Sequence, residues 1–201
     1  MNDLDRALAD LQTIKEQMAR STTFRGFGSE ALLLTAAIAV LGGLFQARFV
    51  GDGAFGTYVA YWLTIAAVSA GIISVEAVRR ACALHPDMAG GILWSGLWQV
   101  LPPIFTGGVL AIVLSGAAPD AAWLLPGLWQ ILIALAVFAA VSALPAGMRL
   151  VGGWYLLSGF ACIVLSGRDV PPPAAMALPF ALGQALGAIV LWRSERVAHH
   201  G

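Results

Sequence analysis

The sequence predicts an all-α polytopic membrane protein, with six transmembrane helices in one bundle preceded by an N-terminal amphipathic cytoplasmic helix. Six apolar stretches of about twenty residues, each long enough to cross a bilayer, cover residues 30–50, 55–78, 89–116, 121–145, 148–167 and 173–192. Hydrophobic residues make up 59% of the chain and charged residues only 11%, whereas soluble domains run near about 25% charged. Mean hydropathy is +0.83. The polar stretches between the spans are short, so the expected division is 1–29 as cytoplasmic helix and hinge, 30–193 as the bundle and 194–201 as a cytoplasmic tail.

The first element lies outside the spans. In residues 3–20, Leu4, Leu8, Leu11, Ile14 and Met18 recur at helical spacing on an otherwise charged segment, with Asn2 or Asp3 as cap. Four acids against three bases make it nearly neutral, which suits a protein surface better than a lipid headgroup layer. Two readings stand: packing on the bundle's own cytoplasmic face, or docking on a partner or a second copy. The polar opening does not resemble a secretory signal, so the first span reads as an uncleaved anchor.

The basic residues set the orientation of the spans. Arg6, Lys15, Arg20, Arg25, Arg79, Arg80, Arg149, Arg193 and Arg196 all fall on one side of a six-span chain, leaving Arg48 and Arg168 opposite. The positive-inside rule puts both termini in the cytoplasm of a bacterial inner membrane. Cys82 and Cys162 sit too far apart in the topology to bridge, and are expected as free thiols acting as small apolar residues.

Within the spans the informative residues are polar or helix-breaking. Gln99, Gln130 and Gln184 fall near mid-depth at about 1.5 Å rise per residue, and each amide has two donors and two lone pairs to satisfy. They are expected to face the interior, either as interhelical glue or as a grip on a ligand's carbonyl, hydroxyl or amide. Gly96-Leu97-Trp98-Gln99 recurs as Gly127-Leu128-Trp129-Gln130 in the next, antiparallel span. Pro102 and Pro103 should kink the third span and free carbonyls near residues 98–99, and Pro179 should do the same in the sixth. Trp98, Gln99, Pro102, Pro103, Trp129, Gln130 and Gln184 thus form the candidate ligand site, since transporter sites are often built from interrupted helices at mid-depth. Leu101–Leu114 and Leu178–Leu191 match at six of fourteen positions, the pattern an inverted repeat would leave.

At the cytoplasmic rim Glu30, Glu76, Arg79 and Arg80 are candidates for salt bridges or for docking a soluble partner. Ala39 with Gly43, Ala67 with Gly71, Ala136 with Ala140 and Gly183 with Gly187 offer small-residue faces for close helix contact. No His lies deep in a span, and neither an HExxH zinc motif nor paired carboxylates occur there. This pattern argues against an enzyme, a haem carrier or any metal or other cofactor, and missing charged rings argue against a selective ion pore. Two functions remain. One is binding or transport of a small neutral or apolar molecule at the Trp/Gln/Pro cluster. The other is a non-transporting membrane subunit or sensor partner acting through cytoplasmic contacts. The expected partners are the lipid bilayer and a homo-oligomer or cytoplasmic protein, with no nucleic acid.

Overall fold

A computed structural model describes residues 28–50, 55–84, 89–141, 144–165 and 173–200. The amphipathic segment 3–20 lies outside these residues. The described residues are all helix and turn, without a strand: α1 (Ser29–Phe49), α2 (Phe55–Leu84), α3 (Ala89–Gly116), a 3-10 turn (Pro119–Leu124) running into α4 (Leu125–Ala139), α5 (Met148–Leu165) and α6 (Pro173–His200). Six segments are long and apolar enough to cross a membrane.

Proline shapes the starts. Pro119, Pro126 and Pro173 each sit in the first turn of their element, where the missing N–H has no intrahelical partner to lose. The fourth span departs from its expected end at residue 145, because the α-helix stops at Ala139. The Val141 N–H falls back on Phe138 O at 3.3 Å, a tighter turn, and Pro145 disfavours α geometry at Leu144. The second and sixth spans overrun their expected ends: α2 continues to Leu84, and α6 runs through the expected tail to His200. At 28 residues α6 is about 42 Å long, more than the ~30 Å of a hydrocarbon core. Its last turns carry Glu195, which the ion pairs described below require.

Each helix touches the next in the chain and α6 returns to α1, so the six close into a ring, with α4 also touching α6 across it. The most extensive seams are α1–α6 and α4–α5. Both are built on small residues. A Cβ on Gly43 would stand 2.5 Å from the Ala177 Cβ, and one on Gly187 would stand 3.1 Å from Leu32. Gly127 and Gly159 face each other so closely that a Cβ on either would meet the other's carbonyl oxygen at 2.7–2.8 Å. These contacts let backbones approach where apolar lipid supplies little drive for association. Of the expected small-residue faces, Ala39–Gly43 and Gly183–Gly187 are used inside the chain, while Ala67 and Gly71 are exposed.

The core divides by level. Towards the end where α1 finishes and α2 begins, Val50, Tyr58, Val59, Trp62, Ala111, Leu125, Trp129, Met176 and Ala177 form one cluster that draws on α2, α3, α4 and α6. Towards the charged end, Leu32, Ala134, Leu144, Met148, Val151, Tyr155, Ala188 and Leu191 pack together without α3. The first half of α3 and much of α2 are left open, with Trp94, Leu97, Trp98, Val75 and Val78 exposed.

Candidate functional site

The expected site residues separate into different surroundings. Trp98 is 57% exposed and meets Trp94 edge-on, with ring centroids 5.7 Å apart. Pro102 is exposed, while Gln99 and Pro103 are half-buried on the same helix. Trp129 is buried, and its indole N–H donates to Gly107 O at 3.0 Å. Gln130 is fully buried, whereas Gln184 is half-buried against the Tyr155 hydroxyl. Among the described residues no hydrogen bond joins any two of the three glutamines, and Gln130 and Gln184 bond to different partners. Helical phase explains it. The Gly-Leu-Trp-Gln copy on α4 faces the ring, whereas that on α3 lies on the half-helix left outside both clusters.

Gln130 instead anchors a separate node, set up by the missing N–H of a proline. Pro179 has none to give its helical partner four residues back, which is Ala175. The Ala175 carbonyl is taken from outside the helix: Gln130 Nε2 donates to it at 3.0 Å and the Cys162 thiol at 3.2 Å. Gln130 Nε2 also reaches Cys162 Sγ at 3.4 Å. Both cysteines are free, as expected, but Cys162 is a hydrogen-bonding member of this node as well as an apolar filler. The carbonyls after the proline are used too. Trp154 Nε1 donates to Pro179 O at 2.9 Å, and the Tyr155 hydroxyl donates to Phe180 O at 3.2 Å.

A second polar anchor escaped the sequence reading. Gln46, at the last turn of α1, accepts from Trp62 Nε1 at 2.9 Å, and Tyr61 donates to Gly42 O at 2.7 Å one turn earlier. Gln46 stood outside the set of glutamines singled out at mid-depth. Its spacing from Gly42 along one face of α1 was the available signal.

At the charged end Arg80 organises three helices. Its Nε donates to Glu76 at 2.7 Å within α2, and its Nη1 donates to Glu195 of α6 at 2.7 Å. A Cβ on Gly28, the N-cap of α1, would stand 2.8 Å from the Arg80 guanidinium and 2.9 Å from Glu76. Arg79 reaches Glu76 at 3.5 Å but its side chain is 77% exposed. The rim is therefore partly a clamp within the chain. Beside it a cleft of about 560 Å³ opens between α1 and α2. Its walls are Ala31, Leu34, Val68, Gly71, Ile72 and Val75, and its mouth carries Glu30, Glu76 and Arg79. No side chain fills the notch beside Gly71, where a Cβ would have nothing within 4 Å. Chemically this is an apolar slot with charges of both signs at one end. Among the described residues no three His, Cys, Asp or Glu side chains converge as a metal site would require. No family model, curated protein or solved structure matches the chain.

Proposed function

We propose that this chain is a multi-pass inner-membrane protein, with both termini cytoplasmic, that binds a small apolar or amphipathic molecule drawn laterally from the lipid into the α1–α2 cleft. The cleft carries the proposal. It is an open apolar groove of about 560 Å³ between two helices, the shape a lipid-like chain could enter from the side. Its charged mouth lies level with the clamp residues, where an interface would end a hydrocarbon core. The Trp/Gln/Pro cluster, first expected to be the site, supports this reading less well, because Trp98 and Pro102 are exposed and Gln130 is bonded within the chain.

The direct test fills the slot. Native mass spectrometry of the purified protein should retain co-purified lipid-like adducts that are lost in Gly71→Leu, whose Cβ meets nothing within 4 Å and whose remaining carbons would occupy the slot. Equal adduct retention by wild type and Gly71→Leu would refute the cleft. The orientation has its own test. Cysteines placed singly at Gly53 and Pro119 should react with an impermeant reagent from outside intact cells, and one at Pro86 should not. Labelling of Pro86→Cys from outside would overturn it.

A second reading, a non-transporting subunit, is favoured by the exposed face of α3. Trp94, Leu97, Trp98, Leu101 and Phe105 fall along one face of α3 and present apolar surface to the surroundings, a stripe at the spacing with which a neighbouring helix would pack. Crosslinking of a Trp98→Cys variant into a discrete dimer or to a second protein would favour it over the binder.

A further inference from the structure

The α1–α2 cleft is apolar along its length and charged at one end, and its charges do not balance. Glu30, Ala31 and Leu34 line it from α1 at the spacing of one helical face. From α2, Val68, Ile72, Val75 and Arg79 succeed one another at helical spacing and rise about 16 Å along the axis. The two carboxylates at the mouth keep different company. Glu76 is covered: Arg80 Nε holds its Oε1 at 2.7 Å, and Arg79 Nη1 stands 3.5 Å from its Oε2. Arg80 is itself shared with Glu195 at 2.7 Å. Arg196 stacks on the Trp192 ring of its own helix at 3.8 Å and does not line the cleft. Glu30 is exposed and, among the described residues, forms no hydrogen bond or ion pair. Its place in the first turn of α1 suits a negative charge without a basic side chain beside it. Mouth and clamp together set Glu30, Glu76 and Glu195 against Arg79 and Arg80, and the carboxylate left over heads the apolar slot.

We infer, on the reading of this cleft as a ligand site, that its occupant is a cationic amphiphile: an apolar chain ending in one ammonium nitrogen that sits on Glu30. An ammonium offers three donors and carries the charge that Glu30 lacks beside it. A neutral alcohol would leave that carboxylate without a counter-charge. An anionic head would set a like charge beside Glu30 and would have to draw Arg79 away from Glu76. A compact hydrophilic cation gains nothing from the slot, because below the mouth its walls carry no polar side chain. The chain has room at Gly71, where a Cβ would have nothing within 4 Å.

Matched dodecyl probes separate the head from the chain. Equilibrium binding of dodecylammonium, dodecanol and dodecyl phosphate is measured on the purified protein in nanodiscs of zwitterionic lipid, against protein-free discs. Dodecylammonium should bind saturably and best. Glu30→Gln should weaken it about three- to fivefold, the worth of one exposed ion pair, and leave dodecanol unchanged. Because Glu30 has no partner to lose among the described residues, the same variant should keep the parent melting temperature. Gly71→Leu should abolish binding of every probe. Equal binding of dodecylammonium and dodecanol overturns the ionic head, and so does a Glu30→Gln variant that binds the amine as the parent does. In either case, loss of both probes in Gly71→Leu would still uphold the cleft. A preference for dodecyl phosphate that Arg79→Gln removes overturns the cationic head in favour of an anionic one. Amine binding that survives Gly71→Leu overturns cleft and head together.

Discussion

α3 and α6 share a sequence pattern and have opposite surroundings. Both open the matched stretch with Leu-Pro, and they agree at six of fourteen positions. In α6 the bundle supplies donors to the carbonyl that Pro179 frees, and Met176, Ala177, Ala181, Gly183, Gly187, Ala188 and Leu191 are buried along its length. Among the residues of α3 whose burial is described, Ala89, Gly107 and Ala111 are buried. A proline in a span therefore does not make a site by itself. What it makes depends on whether a neighbour presents a donor at the freed carbonyl: α4 presents Gln130 to Ala175 O of α6, whereas its Trp129 donates to Gly107 O of α3, away from the carbonyls that Pro102 and Pro103 free. An exact inverted repeat would have given both helices the same surroundings.

Steric substitutions should widen this contrast most. Gly183→Ala drives a methyl group into the phenol end of Tyr155, so it should cost about 3 kcal/mol or more in unfolding assays in detergent. Gly108→Ala in α3 meets nothing within 4 Å and should raise stability by up to about 1 kcal/mol. Equal effects would show that α3 is packed as tightly as α6.

A smaller effect is expected at the glutamines. Gln130→Leu abandons the Ala175 carbonyl and should cost about 1–3 kcal/mol, whereas Gln99→Leu should stay within about 0.5 kcal/mol. Pro179→Ala returns an N–H to Ala175, so the combination of Pro179→Ala with Gln130→Leu should be less costly than the sum of its parts. Strict additivity would mean that the proline does not create the need for Gln130.

Smaller again is the clamp. Glu195→Gln should cost about 1 kcal/mol or less, with the loss shrinking at high salt as expected of partly exposed ions. The smallest change should follow Trp98→Phe, which should leave the melting temperature within about 2 °C, while brominated lipid should quench Trp98 in the parent protein. Unquenched fluorescence would mean that another polypeptide covers this face.

The all-helical plan was legible because it follows from length and hydropathy, which are local quantities. Span ends were less so. Leu144–Pro145 shortened the fourth helix, and α2 and α6 outran their apolar cores because Arg80 and Glu195 hold those last turns together. The glutamine site could not be assembled from depth alone. Depth sets how far along its helix a residue sits, while facing depends on rotation about the axis, and the rotation is decided by partners far away in sequence. That is why Gln130 found Ala175 and Cys162, and Gln99 found neither of them. The burial of Tyr58 gave no signal at all, since a tyrosine three residues into an apolar helix reads as an interfacial anchor.

The seam between α1 and α6 also has a temporal consequence. Ala39 and Gly43 on α1 meet Ala181 and Ala177 of α6, so the first described helix is completed by the last, with four others emerging from the ribosome in between. Until α6 arrives, α1 carries a small-residue stripe that any passing helix of similar shape can occupy, and the ring stays open at one joint. A joint that closes last is also the easiest to close on the wrong copy. At high expression, exchange of α6 between two chains would reproduce every α1–α6 contact at no enthalpic loss, giving an interlocked dimer that is chemically the monomer rearranged. Slow translation ahead of α6, or removal of α6 altogether, should therefore reach the quality-control proteases of the membrane sooner than any substitution within α3.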